Sequence, residues 1–558
     1  MSFEWLNEES QKFLYKGYLS EGETPKERVW DICKAAEDIN GIEGFADKLF
    51  KYCSYGWVSF SSPIWANFGK QRGMPISCFS SYVGDSVGEI LEAQSEVGMM
   101  SKIGGGTSGY FGDIRARGSQ ISDTGKTSGS VHFMELFEKM TDVVSQGGVR
   151  RGYFTPYLPI DHGDIDEFLD VATEGSSIQT MTTGVTVKDY WMDQMLNGDT
   201  DKRKTWGKVL KRRNEIGFPY VFFYDNVQRN RPDVYKEKEV KIKNSNLCSE
   251  ILLPVKEDES FVCDLCSANV TYYDDWKDTD LIETLIYFLD AVMSEFIQKL
   301  EGYRDSLSKD DNLIFKNMER AYNFAKRHRA LGLGVLGWHS LLQSKMIPFG
   351  SKRAMDLSNE VFSFIQEKSY KGSRELASMF GEPEILEGYG RRNTTLNAIA
   401  PTTSSAFILG QVSQSIEPLM SNYYVKDLAK IKAEIKNPYL KCLLEEKGNN
   451  TKDVWESIMK NDGSVQHLTD ILTDHEREVF LTFSEIDSYD VINQAAFRQK
   501  YLDQTQSLNL MIPTSFSAKD INKLMIHAWE MGICTLYYQH SVNAAQQFAK
   551  DNCQSCEA

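Results

Sequence analysis

The chain has 558 residues, enough for a large core, and 62 Lys and Arg against 79 Asp and Glu leave a formal charge of −17. No basic block interrupts that acidity, which argues against nucleic acid or an anionic membrane surface as the main partner, so any bound phosphate must be met by local donors. The start, Met1-Ser2-Phe3-Glu4-Trp5, has neither the basic nor the apolar stretch of a secretory signal, and the longest uncharged run, 393–416, is rich in Thr, Ser, Asn and Gln, so a cytoplasmic protein without a membrane span is expected.

Residues 1–50 read as a short helical segment, with Thr24-Pro25 marking a helix start. From Trp57 the character turns to Gly, Ser and aromatic residues. Ser62-Pro63-Ile64 leads to Pro75-Ile76-Ser77-Cys78-Phe79, which places Cys78 on or just after a strand, where an inert core thiol fits the same pattern. Gly84-Asp85-Ser86 precedes a helix to Met100 and then Gly104-Gly105-Gly106-Thr107-Ser108-Gly109. Those glycines allow backbone N–H groups near a phosphate but match neither the dinucleotide nor the P-loop fingerprint. Asp85 offers a carboxylate for a sugar hydroxyl, and Arg115 and Arg117 offer planar donor forks for a polyphosphate; surface charge is the alternative. Gln146-Gly147-Gly148-Val149-Arg150-Arg151-Gly152 is a second glycine-flanked loop, of the kind a ligand can set.

Asn246-Leu247-Cys248-Ser249-Glu250, followed by Ile251-Leu252-Leu253 and Pro254, reads locally as a short buried strand. On a strand Asn246, Cys248 and Glu250 share one face, which aligns an amide, a thiol and a carboxyl. A half-buried strand with a polar face gives the same pattern. Phe261-Val262-Cys263-Asp264-Leu265-Cys266 contains a Cys-x-x-Cys that suits a redox pair or half a zinc site. The ten Cys are scattered, and the eight His form no His-x-x-x-His or Glu-x-x-His pair, so thiol chemistry or burial is expected before a metal centre. Leu281, Leu285, Phe288, Leu289, Val292 and Phe296 form a helical core stripe behind Asp280 and Glu283, which resemble a capping pair.

Asn397-Ala398-Ile399-Ala400-Pro401 leads into Thr402, Thr403, Ser404 and Ser405 and then an apolar helix. Strand, hydroxyl turn and helix start together can donate to an anion, although capping alone needs only one of the four hydroxyls. Residues 425–495 read as charged and helical. Ile521, Leu524, Met525 and Ala528 make an apolar helix face that stops at Gly532, and 533–539 reads as a strand carrying Tyr537 and Tyr538. The polar tail ends in Cys553-Gln554-Ser555-Cys556, an exposed dithiol suited to redox exchange.

The strings 246–250 and Thr535-Leu536-Tyr537-Tyr538-Gln539, with Cys78, Cys263 and the tail dithiol, resemble the large, catalytic subunit of class I ribonucleotide reductases, the phage-type members above all. The resemblance runs from about Ser62 to Cys556. It implies an α/β fold: a ten-stranded α/β barrel of two five-stranded halves over 51–545, after the helical segment 1–50 and before a flexible redox tail, 546–558. Cys248 is then on a finger loop inside the barrel, not on a wall strand.

The resemblance also implies roles. Cys248 becomes the thiyl radical that takes hydrogen from C3′ of a ribonucleoside diphosphate, Glu250 the base for the 3′-hydroxyl, and Asn246 a holder of the sugar hydroxyls. Cys78 and Cys263 supply the reducing equivalents, and Cys553 with Cys556 restores them from thioredoxin or glutaredoxin. Ser62, Ser77, Thr402, Thr403, Ser404 and Ser405 fall at substrate-binding positions. Asp85, Ser86, Arg115, Gln146 and Arg150 fall at a specificity site for dNTP or ATP effectors. No tightly bound cofactor is implied in this chain; a metal-containing small subunit supplies the radical through Tyr537 and Tyr538, and the large subunit is a homodimer. The family's N-terminal activity domain would precede about residue 20, where this sequence has no room for it, so dATP is expected to act through the specificity site alone. The sequence departs from the family in three places: Arg151 stands where many members have Gly, the 402–405 run is one residue shorter than in some, and Cys266 is an extra thiol. Two rival readings are a cobalamin-dependent reductase, which would not need the tyrosine pair, and a catalytically dead nucleotide-binding regulator, which would be expected to lose a member of the set.

Overall fold

The computed structural model describes residues 3–71, 73–123, 125–144, 152–410, 412–428, 431–513 and 515–541, without the side chains of 425–428 and 431–433. Five strands, Cys78–Tyr82, Gly106–Tyr110, Phe154–Pro159, Gly184–Val187 and Tyr220–Phe223, pair parallel in chain order and form one half of a barrel. Nearly every residue in them is buried, as expected for a parallel sheet covered on both faces. The second half repeats the pattern. Leu265–Asn269 pairs parallel with Gly332–Leu336, parallel bridges join Leu333 to Asn397 and Ile399 to Gln506, and Leu510–Ile512 pairs parallel with Gln539–Ser541.

The two halves meet antiparallel at both seams. Phe261–Cys263 lies against Ser80–Cys78, and Thr535–Leu536 lies against Phe222–Val221. Taking 261–269 and 535–541 each as one bent strand, five strands and five strands close a ring of ten, as the sequence resemblance implies. Helices cover the outside. The longest are Leu281–Asp305 and Lys352–Phe380, and all six apolar stripe residues named on the first are fully buried. No helix among the described residues is long and apolar enough to cross a membrane.

Several local expectations change in the fold. Thr24 does cap a helix, Pro25–Asn40, with a reciprocal bond from Glu27. Asp280 does not cap its helix through its side chain; its carboxylate instead accepts from the Tyr52 hydroxyl at 2.5 Å and pairs with Lys48, while Glu283 pairs with Lys371. The segment 425–495 is not purely helical, because Tyr423–Leu428 and Ile431–Lys436 form an antiparallel hairpin that opens a separate small core around Leu440, Trp455 and Phe480. The glycine run 104–109 serves packing: Gly106–Tyr110 is a barrel strand, and a Cβ on Gly106 would lie 2.9 Å from Leu247 Cδ2 on the loop inside the barrel.

A second close approach builds the other half. A Cβ on Gly334 would lie 2.5 Å from the Ala398 carbonyl oxygen, so only glycine lets 397–399 sit against this strand. The neighbour is backbone and cannot swing aside. Gly334→Ala should cost about 1–3 kcal/mol of stability, read as a lower thermal unfolding midpoint, whereas Gly302→Ala, with open space around it, should not.

Candidate active site

The stretch 241–255 forms no strand; it enters the barrel as a loop with a turn at Leu247–Cys248. The initial strand reading of 246–250 therefore fails, and the finger-loop reading replaces it. Local sequence could not show this, because the apolar residues 251–253 are buried by barrel walls rather than by a sheet partner. Ser249 adopts φ +63°, an unusual conformation for a residue with a Cβ, and its N–H donates to the Asn246 carbonyl at 3.2 Å. The loop is held from both halves. Ser108 Oγ donates to the Ser245 carbonyl at 2.9 Å and the Tyr157 hydroxyl to the Asn246 carbonyl at 3.1 Å, while Thr535 Oγ1 donates to the Ser249 carbonyl at 2.8 Å and Ser507 Oγ to the Cys248 carbonyl at 2.5 Å.

Around this tip the chemical groups converge. Glu250 is 1 % exposed and accepts from Ser507 Oγ at 3.1 Å. Burial pushes its carboxyl up to about 7, against the opposing hydrogen bonds from Asn246 and Ser507. Asn246 is fully buried; its Nδ2 lies 3.6 Å from Cys78 Sγ, and its Oδ1 accepts the Ile251 N–H at 3.1 Å. Cys78 and Cys263 are directly opposite one another across the antiparallel seam. Opposed Cα atoms in such a ladder are roughly 4.5–5.5 Å apart, inside the window of about 4.4–6.8 Å that a disulfide requires. Burial, followed by the neighbouring Cys78, holds the Cys263 thiol protonated. Cys266 does not share this site. It is paired in register with Phe60 of strand Val58–Phe60, so the Cys-x-x-Cys spacing does not form a redox pair.

On its other side Cys248 packs against a cluster of Phe218, Tyr220, Tyr537 and Tyr538. The Tyr537 and Tyr538 rings are 4.5 Å apart between centroids, and Tyr220 lies 4.7 Å from the first and 5.1 Å from the second. The tyrosines are not on opposite sides of one strand. The strand breaks after Leu536 and resumes at Gln539 on the other half-barrel, which turns both rings to one place. Arg213 is buried behind them and donates to the Tyr537 carbonyl at 3.0 Å.

The hydroxyl turn follows the bridged segment 397–399 of the second half. Thr402, at φ +54°, precedes the short helix Thr403–Ile408, and Ser405 Oγ donates to the Phe60 carbonyl at 3.4 Å, which brings the turn beside Ser62 at the start of another short helix. The Tyr18 hydroxyl lies 3.1 Å from Ser62 Oγ, and helix Glu8–Gly17 packs Phe13 on Phe407, so the N-terminal segment borders this turn. Ser77 is buried next to Cys78, with its N–H on the Cys263 carbonyl at 3.2 Å. At the outer edge Asp85 accepts from the Arg115 N–H at 2.9 Å and Nε at 2.6 Å, and Ser86 Oγ caps the helix Val87–Lys102. Arg117 turns away to Glu167. Gln146, Arg150, Cys553 and Cys556 lie outside the described residues.

Sequence reading missed Ser507, Tyr157, Tyr220 and Tyr18. A signal existed for the first: Gln504-Thr505-Gln506-Ser507-Leu508-Asn509 is a polar run that leads into a strand and is buried almost throughout. Its partner Glu250 is 257 positions away, which no local pattern reveals.

A closed ten-stranded barrel with a thiol on an internal loop, a facing dithiol and an attached tyrosine cluster defines a radical-using reductase scaffold. The model of the ribonucleotide reductase barrel domain matches residues 76–202, 197–388 and 383–539, and the chain belongs to the ribonucleotide reductase family. Among solved structures it is similar to the Actinobacillus ureae class Id ribonucleotide reductase alpha subunit, with 55 % identity, a TM-score of 0.90, and 98 % of this chain and 99 % of that one covered. The ribonucleoside-diphosphate reductase large subunit of Invertebrate iridescent virus 3 is 29 % identical over 98 % of this chain and 97 % of its own. The vitamin B12-dependent ribonucleoside-diphosphate reductase of Thermoplasma acidophilum is 29 % identical over 83 % of this chain and 60 % of its own.

Proposed function

We propose that this chain reduces ribonucleoside diphosphates to deoxyribonucleoside diphosphates as a class I catalytic subunit, with Cys248 carrying the radical. The observation that supports this most is the double contact of the finger tip: tyrosines on one side, and Glu250, Asn246 and the Cys78–Cys263 pair on the other. Oxidation of Cys248 through Tyr537 and Tyr538 leaves a thiyl that takes the 3′ hydrogen. Glu250 accepts the 3′-hydroxyl proton, and the 2′-hydroxyl leaves as water with a proton from the dithiol. Cys78 and Cys263 give two electrons and close a disulfide, their second hydrogen goes to C2′, Glu250 returns its proton to the 3′-oxygen, and Cys248 returns its hydrogen to C3′, which regenerates the thiyl. Cys263 is suited to that step because burial holds its proton. Ser62, Ser77 and the turn 402–405 meet the substrate, the last through its diphosphate. Asp85, Ser86 and Arg115, with Gln146 and Arg150, take the dNTP or ATP effector.

A groove of about 680 Å³ between helices Asp189–Leu196, Thr200–Ile216 and Ala518–Glu530 is lined by Trp206, Leu210 and Ile521 with Arg203, Lys211, Glu215 and Lys519. It suits an apolar segment with acidic flanks from the radical-supplying subunit, because helix Thr200–Ile216 also carries Arg213 to the Tyr537 carbonyl. The deciding experiment is turnover of a diphosphate with added small subunit against turnover with adenosylcobalamin. Activity only with the small subunit is expected; activity only with the cobalamin would favour the reading suggested by the Thermoplasma relative.

The pH dependence follows from Glu250. With a carboxyl near 7, the proton-accepting form grows about tenfold between pH 6 and pH 8, and kcat should rise with it. Glu250→Gln should lower kcat by about 10²–10⁴ and remove that limb. Because the carboxyl is raised in the folded state, its effect on stability runs the other way: full stability below its ordinary value, declining as pH rises toward 7.

A further inference from the structure

The segment that supports the finger loop also supports the tyrosines. Ser507 holds the Cys248 carbonyl and Glu250, and two residues on, Asn509 accepts the Tyr538 N–H on Oδ1 at 3.1 Å. The Asn509 amide is not free to rotate, since its Nδ2 donates to Glu417 Oε1 at 2.6 Å. Glu417 belongs to the loop that follows the hydroxyl turn. Its N–H donates to the Gln414 carbonyl at 3.0 Å, Gln414 Oε1 accepts from Thr403 Oγ1 at 3.1 Å, and the Ser415 N–H donates to Thr402 Oγ1 at 2.8 Å. Thr402 and Ser415 both have positive φ, at +54° and +47°, a clasp of two conformations that residues with a Cβ rarely hold.

The same loop is braced against residues 337–340. Ser413 N–H donates to Ser340 Oγ at 2.9 Å, the Ser415 carbonyl accepts the Trp338 N–H at 3.3 Å, and the Leu419 N–H donates to His339 Nδ1 at 2.9 Å. A segment held at three points transmits a displacement instead of absorbing it. We propose that Glu417 and Asn509 are positioning residues for the radical relay: they tie the Tyr538 backbone to the turn that meets the substrate diphosphate, so that substrate occupancy sets the place of Tyr538 beside Tyr537 and Cys248. The inference rests on the radical role of the tyrosines given above. It adds the two residues, Glu417 and Asn509, that connect Thr402 and Thr403 to the Tyr538 backbone.

The test uses the full chain with its small subunit and a ribonucleoside diphosphate. With 3-aminotyrosine at 538, which oxidises more easily than tyrosine, the aminotyrosyl radical seen by electron paramagnetic resonance should increase when substrate is added. Glu417→Ala and Asn509→Ala should each abolish that increase and lower kcat by about tenfold to a hundredfold, with KM within about threefold of the parent. Glu417→Gln, which keeps an acceptor oxygen for Asn509, should restore most of both. The double alanine variant should be no worse than either single one, because one linkage is broken twice. Parent-like substrate dependence and kcat in both alanine variants would overturn the inference, as would a parent signal indifferent to substrate. Full turnover by Tyr538→Phe would instead remove the radical role itself, and this inference with it.

Discussion

Tyr537→Phe and Tyr538→Phe should each leave a folded protein that binds substrate and does not turn it over. The rings stay, so the packing of the pair and of Tyr220 around Cys248 is kept, and the loss of one hydroxyl costs only about 1 kcal/mol of stability. What is lost is the phenol that can be oxidised. The drop in turnover should exceed roughly a thousandfold, the scale of deleting a group essential to the chemistry, while equilibrium binding of the diphosphate stays within about threefold of the parent. Turnover assays with the small subunit and a separate binding measurement check both halves. Near-parent activity in both variants would mean that Cys248 is oxidised by another route.

The largest contrast among the thiols should come from comparing the barrel pair with the tail. On the proposed mechanism Cys78→Ser removes one of two electron donors that face each other across a buried seam, so it should fail with any reductant. On the same proposal Cys553→Ser with Cys556→Ser removes only a carrier. Thiol exchange needs direct sulfur contact, and Cys78 and Cys263, at 2 % and 1 % exposed, are closed to a protein the size of thioredoxin. The tail variant should therefore complete about one reduction per active site, stall with thioredoxin, and turn over substantially with dithiothreitol, which is small enough to enter. Multiple turnovers of the tail variant with thioredoxin at the parent rate would sink the carrier role. Single-turnover and steady-state product assays with the two reductants separate the cases.

Much of this chain is legible residue by residue. The helix at Thr24-Pro25 and the apolar faces of Leu281–Asp305 and Ala518–Glu530 follow from spacing alone, because a helix face is set by neighbours three and four positions away. The pentapeptide at 246–250 shows the limit. Its local pattern is that of a strand, and only the resemblance to a family corrected it to a loop. The glycines at 104–109 mislead in the same way: their freedom suggests a phosphate, yet Gly106 is there to admit Leu247.

The amino-acid sequence by itself determined which chemistry is available: an amide, a thiol and a carboxyl within five residues, two further thiols, two adjacent phenols and a terminal dithiol. Those identities are local and need no fold to be read. The tertiary structure decided which of them meet. Closing the barrel brings Thr535 to Ser249 across 286 positions, sets Cys78 opposite Cys263, turns Cys266 toward another wall, and places Ser507 between Cys248 and Glu250. It also decides that the Glu250 carboxyl is raised, because that shift arises from removal of water by distant walls and from no neighbour in the chain.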